Sequence, residues 1–401
     1  MRKNKIVLFG AYDRYNYGDN LMPIVFLDYM KKYHPDLVAQ SEFVYSSIMA
    51  SDLSRYQAPK TIPIDDVCPS LSNQDALIVV GGEVLCASNS TLFLHMPRNK
   101  TLNDLLTKLN RRPVFRDLLH LYARHRCPIP WDFPYVPDPD KLPAGLKIVY
   151  HTVGGHLNDL GPAKRQEITG RLNRSAILAV RDNRTKDHLA GIPTTLAPDS
   201  VHIISDLYDD TFFAEHAEKM YRTYRNERYF CFQASPQKMP EDIQSVAQVL
   251  RDICQKNGCK VMLLPIGYAA GHDDAFLLRE LQSLIPEVAF FEDELTLWEI
   301  MFLIKNSLLY IGTSLHGAIT ALSYGIPHFG LNKKIVKLND FLGDWSVAPF
   351  NQNYDMQTIG ELAADLSALP SEALTARAKL NNQLVRQHFD SVATLLGQGG
   401  D

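Results

Sequence analysis

Two hydroxyl side chains, a histidine and a glycine follow an apolar segment near the end of the chain. The stretch Gly312-Thr313-Ser314-Leu315-His316-Gly317 precedes an alanine-rich segment of helical character. A helix beginning here would offer free backbone N–H groups and the positive end of its dipole, which favour a phosphate or a carboxylate. His316 could bind the same anion or exchange a proton near neutral pH. A capped helix with a packed histidine fits the local sequence equally well.

Charged and polar residues also follow several other apolar segments, each after a glycine-containing or polar turn. They are Asn16, Gly18 and Asp19, then Glu83, His156, Arg181 with Asp182, and Lys337. Arginine suits bidentate recognition of phosphate or carboxylate, and lysine supplies a point charge. Each position taken alone also fits a tight turn, a helix cap or a solvated side chain. The first loop lacks the G-x-G-x-x-G dinucleotide pattern.

Short apolar segments that end in glycine alternate with segments of helical periodicity, an alternation typical of parallel sheets covered by helices on both faces. A charged stretch without a strand pattern interrupts the alternation. We therefore predict an α/β fold of two doubly wound Rossmann-like domains that face each other across a cleft, as in glycosyltransferase-B-like proteins. The predicted N-terminal domain spans residues 1–205 and the predicted C-terminal domain spans 228–370. A linker at 206–227 joins them, and a C-terminal helix follows at 371–401. Ligands bind at the carboxyl ends of the strands in such sheets, so the polar residues above are expected to face the cleft.

Residues 91–143 do not follow the strand–helix alternation. Eight basic and two acidic residues lie between positions 98 and 126, and Trp131, Phe133 and Tyr135 follow among prolines. One interpretation is a pair of surface helices with a proline-rich connector. The other is a basic, aromatic insertion on the acceptor side, which would suit a phosphorylated glycolipid at a membrane surface. In that case Arg111 and Arg112 are candidate contacts.

Bulk properties narrow the class of protein. The chain has 401 residues, a formal net charge of −4 and a pI near 6.4, which do not indicate a nucleic-acid-binding protein. Its six cysteines are scattered and have no zinc-ligand spacing, which favours reduced thiols in the cytoplasm. Since no apolar segment is long enough to span a membrane, we expect a soluble protein.

Taken in order, these motifs resemble those of the polysaccharide pyruvyl transferase family over most of residues 5–345. The matching stretches are Asn16-Tyr17-Gly18-Asp19, LIVVGGEVL at 77–85, Arg181-Asp182 with Pro198-Asp199, YIGTSLHGAITALSYGIPHFGL at 310–331, and KLNDFLG at 337–343. Two positions differ from the family pattern. Ser314 stands where many members have arginine, and Glu83 stands where the glycine-rich turn usually has a third glycine.

The resemblance implies transfer of the enolpyruvyl group of phosphoenolpyruvate to a sugar of a surface polysaccharide precursor, with release of phosphate and formation of a cyclic pyruvate ketal. It implies His316 as general acid/base, and Asp19 and Glu83 as groups that orient acceptor hydroxyls or act as base. The expected donor-binding residues are Arg181, Lys337, Thr313, Ser314 and Gly317. The expected acceptor-binding residues are Asn16, Gly18, His156, Arg111 and Arg112. Phosphoenolpyruvate is expected as co-substrate, with no metal and no further cofactor.

Two other functions remain open at this point. The predicted fold also suits a glycosyltransferase that uses a nucleotide sugar, whose diphosphate would occupy the same helix N-terminus. A non-catalytic member that only binds a glycan is the other alternative. The expected partners are phosphoenolpyruvate and a saccharide acceptor, linked to a lipid diphosphate if the basic insertion faces a membrane, and no nucleic acid. The expected location is the cytoplasm, with peripheral contact at the inner face of the membrane.

Overall fold

The structure is a computed structural model. It describes residues 2–89, 109, 112, 115, 118, 122, 129, 131, 133–157, 160–239, 241–268, 274–285, 288–291 and 293–398. No helix within these residues is both long enough and apolar enough to cross a membrane. The five cysteines among them, Cys68, Cys86, Cys231, Cys254 and Cys259, form no disulfide bond with one another.

The N-terminal domain is built on a seven-stranded sheet in the order β3-β2-β1-β4-β5-β6-β7. Its strands are β1 (Asn4–Phe9), β2 (Ser41–Ser47), β3 (Ile62–Pro63), β4 (Ala76–Val80), β5 (Lys147–Val153), β6 (Ile177–Val180) and β7 (Thr195–Leu196). All neighbouring strands pair in parallel. The central strand β4 is buried at every position, as expected for a strand that helices cover on both faces.

The C-terminal domain repeats this plan with a six-stranded parallel sheet in the order β10-β9-β8-β11-β12-β13. Its strands are β8 (Tyr229–Gln233), β9 (Lys260–Leu263), β10 (Ala289–Phe290), β11 (Tyr310–Gly312), β12 (His328–Leu331) and β13 (Asn353–Tyr354). The order reverses between β8 and β11, so the carboxyl ends of these two strands form the switch point at which such sheets bind ligands.

Fifteen α-helices connect and cover the strands within the described part of the chain. In the first domain and after it they are α1 (Tyr17–Tyr33), α2 (Pro35–Gln40), α3 (Ile64–Val67), α4 (Pro162–Leu172), α5 (Asn183–His188), α6 (Ile204–Leu207), α7 (Asp210–His216) and α8 (Glu218–Tyr224). They continue with α9 (Ile243–Asn257), α10 (Ala275–Leu284), α11 (Leu297–Lys305), α12 (Leu315–Ser323), α13 (Val336–Trp345), α14 (Met356–Leu362) and α15 (Ser371–Gly397). Short 3₁₀ turns lie at Ser54–Tyr56, Cys68–Ser70, Pro139–Lys141, Ser200–Ile203 and Leu366–Ala368.

Local sequence explains where several helices begin and end. Asn16, rather than Asp19, caps α1, since its side chain accepts hydrogen bonds from the backbone of Gly18 and Asp19. Thr296 and Glu299 form a reciprocal capping box at α11. Gly258 ends α9 in the left-handed conformation at φ 57°, which glycine adopts readily.

The segment predicted as a linker, 206–227, is helical and packs against the C-terminal domain. Phe212 and Phe213 of α7 contact Trp298 and Phe302 of α11, with ring centroids 5.0 and 5.8 Å apart. The long helix α15 begins on the C-terminal domain and ends on the N-terminal one. Tyr29 of α1 donates to Asp390 of α15 at 2.8 Å, and Lys147 of β5 donates to the Leu395 carbonyl at 2.9 Å. The helix Ser371–Gly397 therefore packs on both domains.

The aromatic part of the proposed membrane-facing insertion is core instead. Trp131, Phe133 and Tyr135 are 2%, 6% and 1% exposed and pack in the hydrophobic cluster on one face of the N-terminal sheet. Trp131 donates its ring N–H to the Pro134 carbonyl at 2.9 Å, which satisfies its one polar group. Of the basic part, Arg111 lies outside the described residues and Arg112 is exposed.

Candidate active site

A small polar cavity of about 80 Å³ lies where the carboxyl ends of the two sheets face each other. Its walls include Asn16 from the first domain and Gln233, Lys238, Asp274, His316 and Lys337 from the second. Asn16 also pairs with Gly267 in an antiparallel bridge that joins the two domains at the rim. A larger cavity of about 840 Å³, lined by Cys254 and Lys260, lies at the opposite end of the C-terminal sheet. The small cavity is the candidate site, because ligands of such folds bind at the carboxyl ends of strands.

His316 occupies the first turn of α12, as the sequence predicts. The Ser314 hydroxyl caps this helix by accepting from the Gly317 N–H at 3.3 Å. The imidazole crosses the cleft and lies against the backbone of Gly18 at the start of α1. A Cβ added to Gly18 would overlap the His316 ring. Gly18 is therefore needed as a glycine so that a histidine of one domain can pack onto a helix start of the other.

On its other side the His316 ring faces a buried carboxylate. His316 Nε2 lies 3.6 Å from Asp199 Oδ2, and Asp199 is fully buried. Burial raises the pKa of Asp199, but His316 and Arg181 outweigh burial and bring the pKa to about 2. Asp199 is thus ionised at neutral pH, so it can orient the ring and balance the charge that the ring acquires when it takes a proton.

Arg181, which was expected to bind the donor, lies behind Asp199 and does not line the cavity. Its side chain is 1% exposed and donates to Asp199 at 3.1 Å and to Glu83 at 2.9 Å. A Cβ on Gly154 would lie 2.7 Å from Arg181 Nε, so the guanidinium also fills the space that this glycine leaves. Arg181 therefore holds Asp199 and Glu83 in place from inside the N-terminal domain.

Glu83 belongs to the same buried ion-pair network. One carboxylate oxygen accepts from Arg181, and the other accepts from Arg184 at 2.7 Å. Burial raises the pKa of Glu83, but Arg181 and Arg184 overcome this effect and lower the pKa. A carboxylate held by two guanidinium groups is a weak base, so the geometry does not favour the catalytic role predicted for Glu83.

Two lysines supply the positive charge of the cavity. Lys337 lies in the first turn of α13, and Lys238 follows β8. Within the part of the chain that the structure describes, neither ammonium group has a carboxylate within ion-pairing distance. Burial, followed by repulsion from Lys337, lowers the pKa of Lys238 to about 8, and burial and Arg181 lower the pKa of Lys337. Two cations that repel each other in a half-buried site are a favourable setting for a multiply charged anion.

The hydroxyl and glycine predicted for donor binding mainly serve packing. Thr313 is fully buried, and both its N–H and its hydroxyl donate to Gln233 Oε1, at 3.0 and 3.3 Å. The Ser314 N–H donates to the same oxygen at 2.9 Å. A Cβ on Gly317 would overlap the Tyr310 hydroxyl, so this glycine lets α12 approach β11. Ser314 alone of the three predicted residues lines the cavity.

The remaining predicted residues are spread over the cleft. Asp19 is half-buried on the first turn of α1, with Oδ1 3.5 Å from where a Cβ of Gly82 would stand. His156 is half-buried with its ring 6.2 Å from that of His188, outside the cavity. Among the acceptor candidates that the structure describes, Asn16 lines the cavity with His316, and Gly18 lies against the His316 ring.

Sequence patterns did not indicate Lys238, Gln233 or Asp274. Asp274 is 3% exposed, and its Oδ2 accepts from Gln233 Nε2 at 2.9 Å and from the backbone N–H groups of Ile266 and Gly267 at 3.1 and 3.2 Å. Gln233 is the last residue of β8 and Lys238 follows in the next turn, so their position after an apolar strand was the available signal. Asp274 precedes a helix seven residues after Gly267, so only the tertiary fold brings it to the cavity.

The family model described as polysaccharide pyruvyl transferase matches residues 16–333. No curated protein matches the chain in a sequence search. Several solved structures are similar in fold.

Two of these structures are UDP-GlcNAc 2-epimerases. The one from Neisseria meningitidis is 13% identical, with a TM-score of 0.52 over 98% of this chain and 99% of its own. The one from Methanocaldococcus jannaschii is 10% identical, with a TM-score of 0.55 over 96% and 98%. The wall teichoic acid polymerase TagF is 10% identical, with a TM-score of 0.50 over 99% and 89%. These likenesses confirm the predicted glycosyltransferase-B-like fold of two α/β domains.

Proposed function

The chain belongs to the polysaccharide pyruvyl transferase family, and we propose that it transfers the pyruvyl group of phosphoenolpyruvate to a saccharide of a polysaccharide precursor. Two acceptor hydroxyls add to the central carbon of the donor, phosphate leaves, and a cyclic ketal remains. The observation that supports this proposal best is the cavity in which His316, backed by Asp199, faces Lys238 and Lys337.

The donor carries a phosphate and a carboxylate, and the cavity offers matching cations. Lys238 and Lys337 can each bind one anionic group, and the cavity wall at Ser314 adds a hydroxyl. A hydrogen bond to a charged group contributes about 1.5–3 kcal/mol, so contacts from both lysines would favour a dianion or trianion over a neutral ligand. The lysines carry the role first assigned to Arg181, whose guanidinium is already paired with carboxylates.

His316 is the group placed to move a proton between acceptor and donor. It takes the proton of an attacking hydroxyl and passes it to the departing phosphate, while Asp199 balances the transient positive charge. The overall reaction balances with phosphoenolpyruvate and two hydroxyls alone.

The acceptor side of the proposal rests on a polar groove of about 470 Å³ between α5 and α13. Asn183, Asp187, Asn339 and Asp340 line it, and such carboxylates and amides suit sugar hydroxyls. A lipid-diphosphate link, contact with the inner face of a membrane and a cytoplasmic location remain predictions.

Thermal unfolding with separate ligands tests the donor. Phosphoenolpyruvate is expected to raise the unfolding midpoint, because a ligand that binds only the folded state stabilises it by about 2.7 kcal/mol at a hundred times its dissociation constant. UDP, UDP-GlcNAc and related nucleotide sugars are measured in parallel. A shift with a nucleotide alone would instead assign a nucleotide-sugar-dependent glycosyltransferase, and a shift with neither donor would favour a glycan-binding protein. Ketal formation is then checked by the methyl signal of the product in NMR.

A further inference from the structure

Asp274 is a buried carboxylate whose two oxygens have very different surroundings. Oδ2 accepts all three hydrogen bonds described above, from Gln233, Ile266 and Gly267. Oδ1 accepts none from the residues that the structure describes, and the residue lines the cavity. The structural role of the side chain is thus fulfilled by one oxygen, which leaves the other for a ligand.

The groups that face Asp274 come from each element around the cavity. They are Gln233 and Lys238 on and after β8, Tyr268 after β9, Tyr310 on β11, His316 on α12, and Lys337 on α13. Burial raises the pKa of Asp274 to about 6, and the hydrogen bonds to Oδ2 and the charge of Lys238 offset only part of that effect. The group can therefore hold or release a proton close to neutral pH.

Binding of an anionic donor would shift Asp274 towards its protonated form. A trianion held by Lys238 and Lys337 would place like charge beside the carboxylate, and a like charge favours its neutral form. Proton uptake by Asp274 removes that repulsion, so binding of the donor favours the protonated carboxyl group. A carboxylic acid in contact with the enol group is then the result of binding itself.

We propose that Asp274 is a further catalytic residue, which takes up a proton when phosphoenolpyruvate binds and donates it from Oδ1 to the methylene carbon. This inference rests on the proposed function. The methylene becomes a methyl group, the first acceptor hydroxyl bonds to the central carbon, and its proton passes to His316. His316 returns that proton to the phosphate oxygen as the carbon–oxygen bond to phosphate breaks. The second hydroxyl then closes the ketal and gives its proton to Asp274, which restores both residues.

The test is calorimetric titration of the whole protein with phosphoenolpyruvate in two buffers of different ionisation enthalpy, which reports protons taken up on binding. Asp274→Asn keeps an oxygen that can accept from Gln233, Ile266 and Gly267, but cannot titrate. We expect it to bind phosphoenolpyruvate with a smaller proton uptake than the unmodified protein. Asp274→Ala serves as the second variant, and Asp242→Asn, at an exposed helix cap, serves as control.

The outcomes separate the two proposals. Reduced proton uptake in either Asp274 variant, with uptake unchanged in the control, supports the role of Asp274. Equal uptake in all variants would overturn it and leave the proposed function intact. If the unmodified protein fails to bind phosphoenolpyruvate, the proposed function and the inference that rests on it both fall. In an active assay, Asp274→Asn is expected to lower turnover about 10²–10⁴-fold, as for loss of a general acid.

Discussion

His316 Nε2 lies 3.6 Å from the Oδ2 atom of Asp199, and the two residues belong to different domains. Asp199 follows the last strand of the N-terminal sheet, and His316 follows β11 of the C-terminal sheet. The proposed acid/base therefore depends on how the domains face each other, and not only on the helix that carries it.

Replacing His316 by glutamine removes the proton-transfer group but keeps a side chain that can hydrogen bond. We expect turnover of phosphoenolpyruvate to fall by about 10²–10⁴-fold. The unfolding midpoint is expected to fall modestly, because the ring makes no hydrogen bond through Nε2 within the described structure but helps to hold the buried Asp199 in its ionised form. Phosphate release and thermal unfolding measure the two effects. Near-normal turnover in this variant would contradict the role of His316.

Gly18→Ala tests the contact between the domains. The new Cβ would overlap the His316 ring, so the ring must move away from its position over α1. We expect a loss of turnover that approaches that of the His316 variant, while phosphoenolpyruvate still binds to the lysines. Gly170→Ala is the matched control, because a Cβ there meets nothing within 4 Å in an exposed helix. Alanine at that position should stabilise the helix by about 0.5–1 kcal/mol and leave activity unchanged.

Lys238→Met and Lys337→Met remove one cation each from the cavity and keep most of the side-chain volume. Each change is expected to weaken phosphoenolpyruvate binding about 10–100-fold, the equivalent of one lost charge-assisted contact. Lys333→Met is the control, since Lys333 is exposed and pairs with Asp355 at 2.7 Å. Calorimetric titration gives the affinities. Unchanged affinity in both cavity variants would place the donor elsewhere.

Buried histidines predict a loss of stability in mild acid. His388 and His151 pack in the interior, with Nε2 of one 2.8 Å from Nδ1 of the other, and burial lowers the pKa of His388 to about 4. An unfolded histidine titrates near 6.5, so the unfolded chain binds more protons below that pH. The stability that depends on a neutral His388 is therefore fully present above about pH 6.5. It is lost as the pH falls towards 4, and the free energy of unfolding drops by up to about 1.4 kcal/mol per pH unit.

Urea unfolding at several pH values gives this slope. His388→Gln replaces the titrating ring by a neutral amide, so its free energy of unfolding should fall less steeply over the same range. An identical slope in the two proteins would show that other groups control the acid sensitivity.

The fold followed from patterns that do not depend on tertiary detail. Apolar strands ending in glycine, with helical periodicity between them, sufficed for two parallel sheets. The same reasoning located His316, Lys337 and Asn16, because residues at strand ends must meet at the same edge of a sheet. That reasoning could not tell which residues after a strand line the cavity and which are paired with each other behind it. Arg181 and Glu83 also follow strands, but they neutralise each other in the interior, and only their partners reveal this.

Asp274 illustrates what the sequence could not indicate. It has no motif around it, and its place in the cavity depends on the path of the chain from Gly267 to α10. The prediction of an exposed aromatic face after the basic stretch was wrong for a related reason. Trp131 and Tyr135 look like an exposed aromatic face when only charge and spacing are considered, but their partners in the N-terminal core come from distant strands, as in the contact of Tyr135 with Phe9 at 5.3 Å.

The path of α15 also determines how the protein unfolds. This helix links the C-terminal domain to α1 and β5, and a single hydrophobic cluster contains Phe26 and Tyr29 of one domain, Phe389 of the helix, and Leu322 of the other. Neither half can lose its packing without exposing apolar surface of the other. Denaturation should therefore be a single cooperative event in which both domains melt together, despite their separate sheets.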